Sequence, residues 1–396
     1  LIERAAEALL GAERVLIRAG GGARGAGEEL AAFADSCDGV VITSPLVSGL
    51  LPYRHPRNMS VAGSKGSLCG NFAMEEADCL VVVGSRAVCQ SDSSRTAYPK
   101  VRQVIAINTD LHDLQHYADT IPLLGEARAT LRLLTEALLR SGRIPAPEAP
   151  PSPWLLACKE AKARWDAFKA ERYARPVLHD AKWGRELLTQ PAAIKAACDW
   201  AAKRGIVTVF DAGDVQANGF QIVEDERPGL TFTETGASYM GFAASALLAT
   251  GLARDPFYAL AMTGDGSFIM SPQILIDGVE HGARGCILLF DNRRMGAISS
   301  LQHAQYGYDF ATDDHVVVDY QAMAAAVKGV NALHGGFSID NLAAALDAAY
   351  AYPGLSLIHL PVYFGNDPLG GLGAWGRWNV GNWVHEVQTL RHTCGL

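Results

Sequence analysis

Short apolar, β-branched runs alternate with amphipathic stretches along this chain, and that alternation leaves few ways to fold it. Val15-Leu16-Ile17-Arg18-Ala19, Val40-Val41-Ile42-Thr43, Cys79-Leu80-Val81-Val82-Val83 and Gln103-Val104-Ile105-Ala106-Ile107 read as strands of a first series. A glycine loop, Gly20 to Gly27, follows the first strand, and a helix through Glu28–Cys37 follows the loop. Near-continuous apolar runs of this kind suit strands covered by helices on both faces. A second series opens at Thr189-Gln190-Pro191, a helix cap with proline near the first turn. A helix over Ala192–Lys203 leads to the strand Ile206–Phe210, and Phe257–Met262, Cys286–Phe290 and Leu355–Leu360 follow as strands. Strands alternating with helices in both halves predict an α/β chain with two doubly wound parallel-sheet domains.

At 396 residues the chain exceeds what one hydrophobic core usually serves. The expected division is a first α/β domain over 1–138 and a Pro-rich linker with a charged, aromatic helical stretch over 139–188. A second α/β domain spans 189–365, and an arm over 366–396 carries Trp375, Trp378 and Trp383. The net charge of −8, with no basic stripe, argues against nucleic acid or an anionic membrane as the main partner. No apolar run approaches the ~20 residues that span a bilayer. Leu1-Ile2-Glu3-Arg4 lacks a secretory pattern, and the eight cysteines are scattered without a CxxC, which reads as reduced thiols in a cytoplasmic protein. The chain opens on a leucine and runs straight into a helix, so a preceding region is expected.

One strand–helix–strand unit carries the chemistry. The strand Phe257–Met262 runs into Thr263-Gly264-Asp265-Gly266-Ser267; Ser271 and Pro272 are expected to open a helix reaching about His281; and the strand Cys286–Phe290 ends at Asp291-Asn292. Strands in such a unit are parallel, so their carboxyl ends lie on one side. If they are neighbours, Asp265 and Asn292 sit together where open α/β sheets bind ligands. A carboxylate and an amide oxygen are hard ligands suited to Mg²⁺, and the N–H groups of Gly266 and Ser267 favour a phosphate. Gly-Asp-Gly alone is usually a tight turn, and an asparagine after a strand is usually a turn residue. The two together in this context are far more specific.

On these residues the sequence resembles the thiamine diphosphate enzymes, whose signature is Gly-Asp-Gly followed about two dozen residues later by an asparagine pair. Residues 1–138 resemble the family's middle domain and 189–365 its diphosphate-binding domain. Here the pair is Asp291-Asn292, with the second, ligating position intact. The resemblance implies Mg²⁺ ligands at Asp265, the Asn292 side chain and the backbone carbonyl of Arg294. It places Met240 beneath the cofactor, although that residue by itself reads as core filler. It aims the Ser238 carbonyl at the aminopyrimidine, and sets the loop Gly213, Asp214 and Val215, with Gly264, Gly266 and Ser267, near the diphosphate. A carboxylate at Asp214 is awkward beside a phosphate, so the backbone of that loop is the expected contact.

When bound, the cofactor supplies a carbon nucleophile and an electron sink, so the implied reaction makes or breaks a C–C bond beside the carbonyl of a 2-oxo acid or 1,2-diketone. In the family the glutamate that protonates the pyrimidine lies on a separate pyrimidine-binding domain. No such domain is present among these residues, so no catalytic base is assigned here. A partner subunit or a missing N-terminal region is expected to supply it, within a homo- or hetero-oligomer.

The resemblance is nearest to the acetolactate synthase-like group, and within it to trihydroxycyclohexane-dione and cyclohexane-1,2-dione hydrolases. It rests on Phe290-Asp291-Asn292, the run from Gly296 to Gln302 and the run from Thr235 to Gly241. A decarboxylase or carboligase, or a non-catalytic cofactor-binding subunit, stays open as an alternative. Some middle domains of the family bind FAD. Gly84-Ser85-Arg86 and Ile107-Asn108-Thr109-Asp110 lie where its contacts would fall, whereas Ala87-Val88-Cys89 departs from the aromatic-acidic pattern. The arm with Trp375, Arg377, Trp378 and Trp383 reads equally as a lid or as an interface.

Overall fold

A computed structural model describes residues 1–363 apart from 87, 89–91, 93–96 and 143–149, together with 365, 367 and 369. The tryptophan arm, Ala87, Cys89 and the centre of the Pro-rich linker therefore lie outside the described residues. The described chain forms two compact units: Leu1–Ala167 with Glu224–Gly229, and Phe168–Val223 with the chain from Leu230 onward. Both carry a six-stranded parallel sheet flanked by helices, the α/β architecture that the alternation predicts.

In the first unit the strands are β1 (Val15–Ala19), β2 (Val40–Thr43), β3 (Asn58–Val61), β4 (Cys79–Val83), β5 (Gln103–Asn108) and β6 (Thr120–Leu124). Their spatial order is β3-β2-β1-β4-β5-β6, and every pairing is parallel. Alternate residues Val15, Ile17, Ala19, Val81 and Ile105 pack on Leu30 and Phe33 of the helix Gly27–Ser36 and on Leu131 and Leu134 of the helix Ala127–Arg140. The loops that leave β1 and β4 touch backbone to backbone. Gly20 donates its N–H to Val83 O at 2.8 Å, and Gly22 donates to Gly84 O at 2.9 Å. A Cβ on Gly20 would stand 2.5 Å from the Gly84 carbonyl oxygen and 2.6 Å from Ser85 Cα, so only glycine fits there.

The second unit opens with an antiparallel hairpin, β7 (Val177–Asp180) and β8 (Arg185–Leu188). Its sheet contains β9 (Val207–Phe210), β10 (Thr231–Thr233), β11 (Ala259–Gly264), β12 (Gly285–Asp291), β13 (Asn331–His334) and β14 (Leu355–Pro361), in the order β10-β9-β11-β12-β14-β13. Successive residues of β12 serve opposite faces. Cys286, Leu288 and Phe290 enter a core with Ile194, Ala197, Leu342 and Leu346, while Ile287 and Leu289 enter another with Phe268, Leu275 and Tyr320. Thr189 caps the helix Gln190–Ala202 by accepting the Ala192 N–H at 3.4 Å, with Pro191 in its first turn.

The structure differs from the sequence reading in two places that bear on the site. β11 ends at Gly264 rather than Met262, because Thr263 and Gly264 stay in register with Leu289 and Phe290. The helix expected from Ser271 to His281 is split. A one-turn helix, Asp265–Phe268, starts within the Gly-Asp-Gly turn, and a second runs over Ile274–Glu280. Asp265 accepts the Gly266 N–H at 2.9 Å, which starts the first helix early, and Pro272, with no N–H to donate, falls in the break.

Candidate active site at the carboxyl edge of the second sheet

From β9 the chain passes to β10 on one side and afterwards to β11 on the other. The strand order thus reverses between β9 and β11, and open α/β sheets bind ligands at the carboxyl side of such a switch point. Three segments emerge there: Asp211–Val215 after β9, Gly264–Ser267 at the end of β11, and Asp291–Arg294 after β12. Close approaches tie them together. A Cβ on Gly264 would lie 3.8 Å from Val215 Cγ2, and one on Gly266 would lie 3.7 Å from Met240 Cε and 3.1 Å from Met295 Sδ. Gly213 faces Ala297, and Gly296 faces the Asp214 carboxylate. The residues singled out in sequence thus converge, with Met240 reaching over the Gly-Asp-Gly turn and Ser238 two residues before it.

Hydrogen bonds fix the polar groups. Asp265 accepts the Arg293 N–H at 3.1 Å besides that of Gly266, which brings the loop after β12 onto the end of β11. Asn292 donates its amide N–H to Asp214 at 3.0 Å and accepts the Arg294 N–H at 3.0 Å on its oxygen. The Asp214 side chain thus turns to Asn292. In taking the amide nitrogen it leaves the amide oxygen, with its second lone pair, as the face available to a cation. The Arg294 carbonyl accepts the Gly296 N–H at 2.8 Å. Its guanidinium pairs with Asp309 at 2.8 Å and Asp313 at 3.5 Å. Asp309 also accepts the hydroxyls of Ser299 and Thr312, and its carboxyl is held down at about 2 by the Ser299 hydroxyl foremost, with Thr312 and Arg294 helping.

Negative charge accumulates at this edge. Asp265 is only 7% exposed, and its carboxyl is pushed well above the usual carboxylate range, first by burial and then by Asp291 and Asp214 beside it. Burial raises the Asp214 carboxyl as well. Buried carboxylates crowded in this way call for a cation. The nearby guanidiniums are committed elsewhere: Arg294 to Asp309, and Arg293 to the Asp314 carbonyl at 3.4 Å and the Trp183 ring at 5.5 Å. Among the described residues no three His, Cys, Asp or Glu side chains form a metal cage by themselves. A set of one carboxylate, one amide oxygen and one backbone carbonyl needs no such cage, and the charge around Asp265 fits a divalent ion.

Sequence reasoning missed several functional neighbours. Asp211, fully buried at the end of β9, accepts N–H groups from Gly241 at 2.8 Å and Ala243 at 3.2 Å, and the Thr263 hydroxyl at 2.8 Å. An acid directly after an apolar strand was the available signal. Glu234 gathers backbone amides of the turn before Met240, and Asp291 meets His359 Nε2 at 2.9 Å from the adjacent strand β14. Neither contact leaves a mark in local sequence. In the first unit, the glycine loop is accounted for by the backbone contact of Gly20 and Gly22 with Gly84.

Comparison with known proteins identifies the two α/β regions. Residues 2–134 match the thiamine pyrophosphate enzyme central domain, and residues 211–360 match the C-terminal TPP-binding domain of the same enzymes. The chain is similar to a 3D-(3,5/4)-trihydroxycyclohexane-1,2-dione hydrolase of Shouchella clausii (strain KSM-K16), 28% identical over 98% of this chain and 62% of the relative. A protein of the same name from Bacillus velezensis is 27% identical with the same coverage. A probable acetolactate synthase large subunit of Methanocaldococcus jannaschii is 27% identical over 77% of the chain and 50% of the relative. The match therefore spans 62% of the length of the two hydrolases and half that of the acetolactate synthase subunit. With the central domain in residues 2–134 and the cofactor-binding domain in residues 211–360, the chain belongs to the thiamine pyrophosphate enzymes.

Proposed function

We propose that this chain is the diphosphate- and Mg²⁺-binding part of an enzyme that cleaves or forms a C–C bond beside a carbonyl, with a 1,2-dione as the first substrate class. The observation that carries the reading is the convergence of Asp265, Asn292 and Met240 at the switch point, around buried carboxylates that want a cation. Asp265, the Asn292 oxygen and the Arg294 carbonyl would hold Mg²⁺. Gly264, Gly266, Ser267 and the backbone of Gly213–Val215 would face the diphosphate. Met240 would support the cofactor from below, and the Ser238 carbonyl would meet its aminopyrimidine.

When bound, thiamine diphosphate supplies the nucleophilic carbon and the electron sink. The chain's own part is to hold the metal and diphosphate, to press Met240 against the ring system, and to keep that edge dry so that its electrostatics act at full strength. A pyrimidine-binding domain, on a partner subunit or in an N-terminal region, would supply the glutamate base and cover the site. The names of the two dione hydrolases, which match along nearly the whole chain, favour hydrolytic dione cleavage over decarboxylation or carboligation.

Calorimetric titration with thiamine diphosphate and Mg²⁺ tests the reading. The wild-type chain, with its pyrimidine-binding partner, binds the pair, and Asp265→Ala abolishes Mg²⁺-dependent binding. Unchanged affinity in the variant would sink the assignment. Full turnover of a dione by residues 1–396 alone would refute the need for a partner domain.

A further inference from the structure

Met240 sits in a turn gripped from both sides by carboxylates. On the far side, Asp211 accepts the amides of Gly241 and Ala243 and the hydroxyl of Thr263, the residue before Gly264-Asp265. This anchor is fully buried and ties the Met240 turn to the end of β11. On the near side, Glu234 follows the edge strand β10 and is only partly buried. Its carboxylate accepts the Gly236 N–H, the Ala237 N–H at 3.1 and 3.2 Å, and the Tyr239 N–H at 3.1 Å. Burial alone would raise that carboxyl, but the amides of Tyr239, Ala237, Gly236 and Ser238 outweigh it and hold it below its ordinary range.

Within the gripped turn, two residues have left-handed backbone, Ser238 at φ 53° and Gly241 at φ 91°. For Gly241 that conformation is ordinary. For Ser238 it is not, and something must enforce it. The amides that converge on Glu234 belong to Ser238 and to the residues on either side of it, so closing them around one carboxylate folds Ser238 into that shape.

We propose that Glu234 is a positioning residue for the cofactor turn: by gathering the amides of residues 236–239 it holds Ser238 left-handed, and so sets the Ser238 carbonyl and the Met240 side chain against the fixed anchor at Asp211. The proposal rests on the function proposed above, in which those two groups face the cofactor. Glu234 stands at a partly exposed turn, so its removal spares both cores.

The test uses the full chain with its pyrimidine-binding partner, wild type against Glu234→Ala and Glu234→Ala/Ser238→Gly. Hydrogen exchange is read first, without cofactor. Glu234→Ala loses protection at residues 236–239 and keeps it in β11 and β12. Calorimetry with thiamine diphosphate and Mg²⁺ then finds an affinity at least ten-fold weaker in Glu234→Ala. The double variant recovers part of that loss, because glycine adopts the left-handed conformation without enforcement; a general loss of structure would not be repaired in this way. Unchanged protection, unchanged affinity, or absence of rescue overturns the proposal. A wild-type protein that binds no thiamine diphosphate overturns the functional reading and the proposal with it, whereas wild-type binding with an unaltered Glu234→Ala overturns the proposal alone.

Discussion

The two units share an architecture and use it differently. Each has a six-stranded parallel sheet with a switch point, between β1 and β4 in the first and between β9 and β11 in the second. In the first unit the loops leaving that point are shut against each other through Gly20, Gly22 and Gly84. In the second the same location holds Asp211, Asp214 and Asp265, with Val215 and Met240 filling the space beside the glycines. The fold supplies a crevice in both units, and the side chains decide whether it closes on itself or stays open for chemistry. Buried charge differs in the same sense. Asp211 is met by three donors from elsewhere in its unit, whereas Arg18, fully buried in β1, donates to Tyr98 at 3.2 Å, and among the described residues its Nε and Nη2 find no hydrogen-bond partner.

Gly20→Ala should destabilise the first unit by about 1–3 kcal/mol, since its Cβ meets backbone that cannot give way. Gly264→Ala should leave folding within about 0.5 kcal/mol, as its Cβ meets only Val215 at 3.8 Å. Equal losses for the two in chemical denaturation would show that the two crevices are packed alike.

Arg18→Met tests the buried charge. Replacing an under-satisfied guanidinium with an apolar chain of similar length should be neutral or stabilise by about 1 kcal/mol. A large loss in thermal unfolding would mean that the arginine holds the first sheet together.

Helix caps sharpen the contrast on a smaller scale. Thr189→Ala removes a neutral cap in the second unit and should cost about 1 kcal/mol at every pH. In the first unit Glu126 caps the helix Ala127–Arg140 by accepting the Ala129 N–H at 2.9 Å, and the Ala129 and Arg128 amides hold its carboxyl below the ordinary value of 4.5. A carboxyl depressed in the folded state lends stability above its unfolded pKa and loses it as pH falls through the folded one. Melting curves from neutral pH down past about pH 4.5 should show that part of the acid loss vanish in Glu126→Gln, with no matching change in Thr189→Ala. A Glu126→Gln curve parallel to the wild type would remove the cap from the account.

The central strands and the family are legible in the chain alone, and the pairing of β11 with β12 completes the expected meeting of Asp265 and Asn292. Strands β1, β2, β4, β5, β9, β11, β12 and β14 lie inside their sheets and are covered on both faces, so each is written as a near-continuous apolar run that any reader of the chain can find. Six strands escaped notice: β7 and β8 of the hairpin, and β3, β6, β10 and β13, which are the edges of the two six-stranded sheets. Their sequences, such as Asn58-Met59-Ser60-Val61 and Asn331-Ala332-Leu333-His334, are mixed because one flank has no strand to satisfy. The surroundings of the site come from the fold. Asp214 turns to Asn292, Asp291 to His359, and Asp211 and Glu234 to the backbone of the Met240 turn. A carboxylate selects its partners by proximity in space, and an amide of the main chain carries no residue type by which the sequence could announce it.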